Sequence, residues 1–209
     1  NKTVAMLEEA AAAMKQIAKS GKKILFVATK KQAKKVVADA AKKLDMPYIT
    51  ERWPGGLLTN FSTIRKSIKK MDGIDKMKTD GTFDTLSKRE RLQISRTREK
   101  LEINLGSIVK MNRMPAAIFI IDINKEHIAL KESAKLGIRS FAVTDTNTNP
   151  ALVNYPIPGN DDASKSISHI VEVVTHAISE GLSERSTEQD KKALEKQKKA
   201  KKISEEAKK

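Results

Sequence analysis

Two unbroken apolar runs, Ile24 to Ala28 and Ala116 to Ile121, and a third strand-like segment, Ile138 to Val143, that closes on the apolar Phe141 to Val143, constrain this chain more than any other feature. A strand with one wet face alternates apolar and polar side chains, so a short run with no polar member is the pattern of a strand covered on both faces. After the first run, Val36, Val37, Ala40 and Leu44 fall at helical spacing. After the second, a helix is expected from about Lys125 to Leu136, stopping at Gly137. After the third comes a long polar loop, in which Asp161 or Asp162 is expected to cap a helix bearing Ile167, Ile170, Val171, Val174 and Ile178 and ending at Gly181. Strand and helix therefore alternate, which calls for an α/β fold: a mostly parallel sheet with helices on both faces.

Weaker signals complete the core. Thr3 is placed to cap a first helix with Val4, Leu7, Ala11, Met14 and Ile17 on its apolar face and Gly21 at its end. Met46 to Ile49 reads as a short strand. Tyr155 to Pro158 reads as another, at an edge, because proline cannot donate to a sheet ladder on both sides. Aromatic residues make up only 4% of the chain, so the core is expected to be aliphatic.

Between Phe61 and Asn112 the period changes. Ile64, Ile68, Met71 and Ile74 mark one helix, a polar turn with Gly81 follows, and Ser87 with Glu90 forms a capping-box pattern for a second. That second helix carries Ile94, Leu101 and Ile108 at seven-residue intervals, with Leu105 between. A seam this narrow predicts an inserted antiparallel helical hairpin projecting as a coiled-coil arm; the alternative is two surface helices lying on the sheet. The expected organisation is a core of 1–58 and 113–185, a hairpin at 59–112, and a basic segment at 186–209 read as a polar helix or a flexible tail.

Charge narrows the function. Forty-one Lys and Arg against 26 Asp and Glu leave +15, an excess that points to a polyanion. There is no cysteine, which excludes disulfides and thiolate metal sites and agrees with the cytoplasm. No apolar run approaches the roughly 20 residues that span a bilayer. Because the chain opens on Asn1 rather than Met, further residues are expected before it.

Two stretches carry the chemistry. The loop from Thr144 to Ile167 leaves the carboxyl end of a strand, the working edge of open parallel sheets. With Thr29 and Asp122 it gathers Asp145, Asp161 and Asp162, a set able to hold a hard divalent cation in a metal-dependent enzyme. Against catalysis, the chain has no dinucleotide fingerprint, no phosphate loop of the Walker type and no nucleophile elbow. His127, His169 and His176 have no ligand spacing to one another. The other stretch is Arg52, Trp53, Gly55 and Gly56, followed by Thr59 or Asn60 as a helix cap. An arginine fork and a flat ring on a glycine-rich loop suit RNA phosphates and splayed bases, although Trp53 equally suits plugging the end of the sheet. Lys30, Lys31 and Lys34 can cover a phosphate backbone. The expected RNA-binding set is thus Lys30, Lys31, Lys34, Arg52, Trp53, Thr59 and Asn60.

These motifs also carry a resemblance. Arg52-Trp53-x-Gly55-Gly56-x-Leu58-Thr59-Asn60-Phe61, Lys23 to Val27 with Thr29-Lys30, and Asp145-Thr146-Asn147-x-Asn149-Pro150 leading to Ile157-Pro158-Gly159-Asn160-Asp161-Asp162 closely resemble the bacterial family of small-subunit ribosomal protein two. The match spans nearly all of residues 5–181. The resemblance implies a flavodoxin-like domain with an inserted helical hairpin, no enzymatic activity and no required cofactor. It implies a ribosome-bound, cytoplasmic protein that binds small-subunit ribosomal RNA and neighbouring ribosomal proteins. It further implies that the protein supports recruitment of the first, messenger-binding protein of that subunit. Members of the family can hold a metal, such as zinc or magnesium, through aspartates matching Asp145 and Asp161, helped by a histidine in an amino-terminal segment that this sequence does not contain before Asn1. Pro54 and Asn154 depart from the family's more usual apolar residue and Asp. The competing expectations are the metal-dependent enzyme and an RNA-binding regulator outside the ribosome.

Overall fold

A computed structural model describes the backbone of residues 2–206 and the side chains of residues 2–189. Helix α1 (Lys2–Lys19) leads into strand β1 (Ile24–Val27), helix α2 (Lys31–Lys43) and strand β2 (Tyr48–Ile49). Helices α3 (Phe61–Thr79) and α4 (Lys88–Leu105) follow, then β3 (Ala117–Ile121), α5 (His127–Lys135), β4 (Arg139–Thr144), β5 (Tyr155–Pro158) and the long α6 (Ser164–Glu206).

Among the described residues the five strands are all parallel, in the order β2-β1-β3-β4-β5. This is the flavodoxin-like winding, with its topological switch point between β1 and β3. Every residue of β1 and β3 is buried, as their unbroken apolar runs predict. The two-residue period then divides them between two cores. Ile24, Phe26, Phe119, Phe141 and Ile157 face α1, α2 and α6, with the Phe26 and Phe119 rings edge-on at 5.5 Å. Leu25, Val27, Ile118, Ile120 and Ala142 face the other way, onto Trp53, Leu57, Leu58 and helix α5.

The base of the α3 and α4 pair belongs to this second core through Ile68 and Leu105, joined by Ile108, which was expected within the second helix but lies in the 3-10 turn after it. Farther out the two helices are tied by Arg98, whose Nε and Nη2 donate to the two carboxylate oxygens of Asp75 at 2.9 and 3.2 Å. The capping box forms as expected: Glu90 N donates to the Ser87 hydroxyl, and Glu90 Oε2 accepts from Ser87 N at 3.1 Å.

Three expectations about helix ends and faces are corrected. Helix α1 already begins at Lys2, so Thr3 lies inside it. Val4 is 54% exposed, because it continues the stripe of Leu7, Met14 and Ile17 one turn past the surface that covers them. Neither Asp161 nor Asp162 caps α6, which starts at Ser164; Asn160 instead folds the approach by accepting from Asp162 N and Ala163 N. Nor does α6 end at Gly181. A methyl group there would overlap the carbonyl oxygen of Lys15 and stand 3.2 Å from the Ala18 Cβ, so glycine serves the close crossing of α1 and α6 rather than a stop. By contrast Gly21, at a φ of +77°, does end α1: its N–H donates to Ala18 O and that of Lys22 to Ile17 O. The helix takes in the basic segment as far as Glu206; residues 207–209 lie outside the described residues.

Candidate nucleic-acid interface

The chain leaves β1 at Thr29 and β3 at Asp122, and the parallel register brings these two exits side by side. Thr29 donates its N–H to Glu126 Oε1 at 3.2 Å and its hydroxyl to the same oxygen. Lys125 Nζ reaches back to Thr29 O at 3.2 Å, so the two loops are cross-tied. Asp122 has a φ of +68°, a conformation that Asp tolerates better than most residues, and its carboxylate accepts from Asn124 N and Lys125 N.

Lys30 occupies the crevice itself. Its Nζ lies 2.7 Å from Asp161 Oδ1, 2.6 Å from Asp162 Oδ1 and 3.5 Å from Asp122 Oδ2. Burial opposes the charged amine, but the hydrogen bonds to Asp161 and Asp162 outweigh it and raise the Lys30 pKa. Asp161 is only 1% exposed. Burial, with the charges of Asp122 and Asp145, raises its pKa above the ordinary aspartate value, while Lys30 opposes the rise. Its Oδ2 has no hydrogen-bond partner among the described residues. Asp145 accepts from Thr146 N at 2.6 Å and from Asp161 N at 3.5 Å; the Thr146 hydrogen bond is the main cause of its lowered pKa.

Among the described residues, Asp145, Asp161 and Asp162 can each bring a carboxylate oxygen within 4.8 Å of the others. The hard oxygen donors and the orphaned Asp161 Oδ2 fit a divalent cation. The Lys30 ammonium already neutralises part of the same set, so such a cation must compete with it.

The second stretch is organised by a residue that the sequence reading missed. Glu132, on α5, is buried and gathers the whole glycine loop on one carboxylate. Its Oε1 accepts from Trp53 Nε1 at 3.0 Å and Gly56 N at 2.8 Å. Its Oε2 accepts from Leu58 N at 2.9 Å, Thr59 N at 3.1 Å and the Thr59 hydroxyl at 3.3 Å. Burial works against this charge, yet the Trp53 and backbone donors prevail and lower the Glu132 pKa. The signal was available: an acidic residue shares the apolar face of a short helix with Ala129 and Ser133. Leu57 N donates to Pro54 O, closing a turn in which Gly56 has a φ of +81°, as the third position of a type II turn requires.

The expected RNA-binding set is therefore divided. Trp53 is 6% exposed and plugs the second core, so its ring is not offered to a base; the half-buried Lys30 amine is taken up by Asp161 and Asp162. Thr59 is bonded to Glu132, and Lys34 pairs with Glu51 at 2.8 Å. Lys31, Arg52 and Asn60 are exposed around this framework, with Asn60 at the N-cap position of α3, accepting from the Thr63 hydroxyl at 2.8 Å.

Comparison with known proteins adds the family. A family model described as ribosomal protein S2 matches residues 1–181. The small ribosomal subunit protein uS2 of Flavobacterium johnsoniae is 64% identical over 194 residues, which cover 93% of this chain and 76% of that protein. That of Flavobacterium psychrophilum is 63% identical over 189 residues, 90% and 71% of the respective chains. That of Cytophaga hutchinsonii is 54% identical over 207 residues, 99% and 82%.

Proposed function

The chain belongs to the ribosomal protein S2 family, and from that premise we propose that its exposed cations bind small-subunit ribosomal RNA. The family is one of structural, non-enzymatic components of the small ribosomal subunit. Among the described residues no helix is long and apolar enough to cross a membrane. The observation that carries the RNA reading is the division of the carboxyl edge: its acids are held by Lys30 and by backbone donors, while Lys31 and Arg52 stay exposed and enter no ion pair among the described residues. With Lys34 and Asn60 they form the proposed contact surface, and Lys30, Trp53, Glu132 and Thr59 hold it in shape. Phosphate contacts of this kind supply affinity and position without reading sequence.

In the organisation we propose, 1–58 and 113–185 are the docking core, 59–112 is the inserted helical pair and 186–209 a basic extension. Bound to the subunit in a cytoplasmic ribosome, the protein supports recruitment of the first, messenger-binding protein. The test is sedimentation of a lysate through a sucrose gradient in magnesium, repeated after a high-salt wash. The protein is expected with small subunits in the first gradient and at the top in the second; a protein that stays at the top in both sinks the reading. Subunits depleted of this protein are expected to carry less of the messenger-binding protein, measured by mass spectrometry.

A cation, zinc or magnesium, at Asp145 and Asp161 is a secondary proposal, supported by the orphaned Asp161 Oδ2. No cofactor is required for the structural role. Equilibrium dialysis of the purified chain is expected to retain about one ion, with retention falling in Asp161→Asn; equal retention by both chains removes the site.

A further inference from the structure

The carboxyl edge is where an open parallel sheet ordinarily meets its ligand, but a further accumulation of positive charge lies at the opposite, amino edge. Two adjoining cavities of about 270 and 500 Å³ open there and share Lys23, Lys110 and Met111 as walls. They are formed by the segments that enter β1, β2 and β3. Five cations line them, Lys22, Lys23, Lys42, Lys110 and Arg113, against the single carboxylate of Asp45. All five are exposed.

Asp45 arranges this groove rather than cancelling it. It ends α2 at a φ of +49°, with its own N–H on Lys42 O and that of Met46 on Ala41 O, a terminus at which glycine is the less strained choice. From there its Oδ1 accepts from Lys110 Nζ at 2.8 Å, while Lys23 Nζ lies 3.3 Å from Oδ2 and donates to Asp45 O at 2.5 Å. Two ammonium groups from segments 87 residues apart in sequence (110 − 23) are thus fixed on either side of one carboxylate. One carboxylate against five cations leaves the groove strongly positive.

We propose that this amino-edge groove is a second RNA-backbone site, so that the α/β core is clamped by ribosomal RNA at both ends of its strands. The occupant follows from charge complementarity: a row of exposed cations over buried Met111 and Pro47 suits a sugar–phosphate edge. The inference rests on the reading above that the partner is ribosomal RNA.

The chain contains no cysteine, so Met114→Cys places a unique attachment point in the groove wall and Gly55→Cys one at the carboxyl edge. Met114 is 39% exposed, and a side chain at Gly55 meets nothing within 4 Å, so both variants are expected to fold. Each full chain, carrying a tethered iron chelate, is bound to small subunits depleted of this protein, and hydroxyl radicals are released. Cutting of ribosomal RNA from both positions is expected, at distinct sites. Cutting from Gly55→Cys alone overturns the amino-edge site, which then faces protein or solvent, and leaves the carboxyl-edge reading intact. Cutting from neither overturns both. In parallel, the triple variant Lys23→Gln, Lys110→Gln, Arg113→Gln is expected to make the logarithmic salt dependence of binding shallower by about two to three, since each neutralised phosphate contributes about one to the slope. An unchanged slope overturns the proposal.

Discussion

Glu132→Ala is expected to lose about 3 to 5 kcal/mol of folding stability, because a buried donor left without its acceptor costs about 1 to 3 kcal/mol and several are orphaned at once. The substitution removes the acceptor for three backbone N–H groups, the Trp53 indole and the Thr59 hydroxyl. Leu58 and Trp53 are buried, so water replaces little of what is removed. Glu132→Gln keeps the shape but turns an amide N–H₂ toward N–H donors, and is expected to fall between wild type and alanine. Urea unfolding followed by Trp53 fluorescence measures both, since Trp53 is the only tryptophan. A near-wild-type midpoint for the alanine variant would show that the loop finds other partners. The sign of the pH effect is fixed: the folded-state pKa of Glu132 is lowered, so its contribution is fully present above the ordinary glutamate value and is lost as pH falls through the folded value. The deficit of Glu132→Ala should therefore shrink in acid.

The second large effect is expected at Lys30. In Lys30→Met the stem is kept and the ammonium removed, which leaves Asp161 and Asp122 uncompensated at 1% and 8% exposure. Breaking a buried pair by deleting one partner costs about 3 to 5 kcal/mol. The Lys30 pKa is raised, so the amine stays charged at every pH below the ordinary lysine value and is not itself the source of any acid dependence. Asp161 is. Its pKa is already raised, and without Lys30 it must rise further. A carboxyl with a raised folded-state pKa costs stability above that value, and the cost disappears as pH falls toward the ordinary aspartate value. The variant should accordingly recover toward wild type on acidification, in thermal melts from pH 7 to about pH 4. A deficit constant with pH would mean that the loss does not come from the uncompensated carboxylates of the crevice.

Much of the architecture was legible because it rests on local rules. The runs at Ile24 and Ala116 read as strands buried on both faces, the segment at Ile138 as a third strand, and alternation with helices made a parallel sheet the expected arrangement. Pro156 and Pro158 marked β5 as an edge strand, and Ser87 with Glu90 marked the start of α4; both are found there. Glycine was less legible. Gly21 and Gly181 look alike as helix stops, yet one ends α1 in the left-handed conformation and the other admits a neighbouring helix within α6. The difference depends on a crossing between segments more than 150 residues apart (181 − 18 = 163).

The sequence by itself determined the α/β class, the strand and helix order, the excess of positive charge and, through three motifs, the family. Those properties are written in the period of hydrophobicity and in residue type, each readable within a short window. Only the tertiary structure decided which charged groups are available. Lys30 and Lys31 are neighbours in sequence, but one neutralises a buried aspartate and the other faces solvent; Trp53 is an anchor because Glu132 reaches it from another helix. Whether a charge meets water or a partner is set by long-range packing, since desolvation and pairing energies depend on what lies across the fold rather than along the chain.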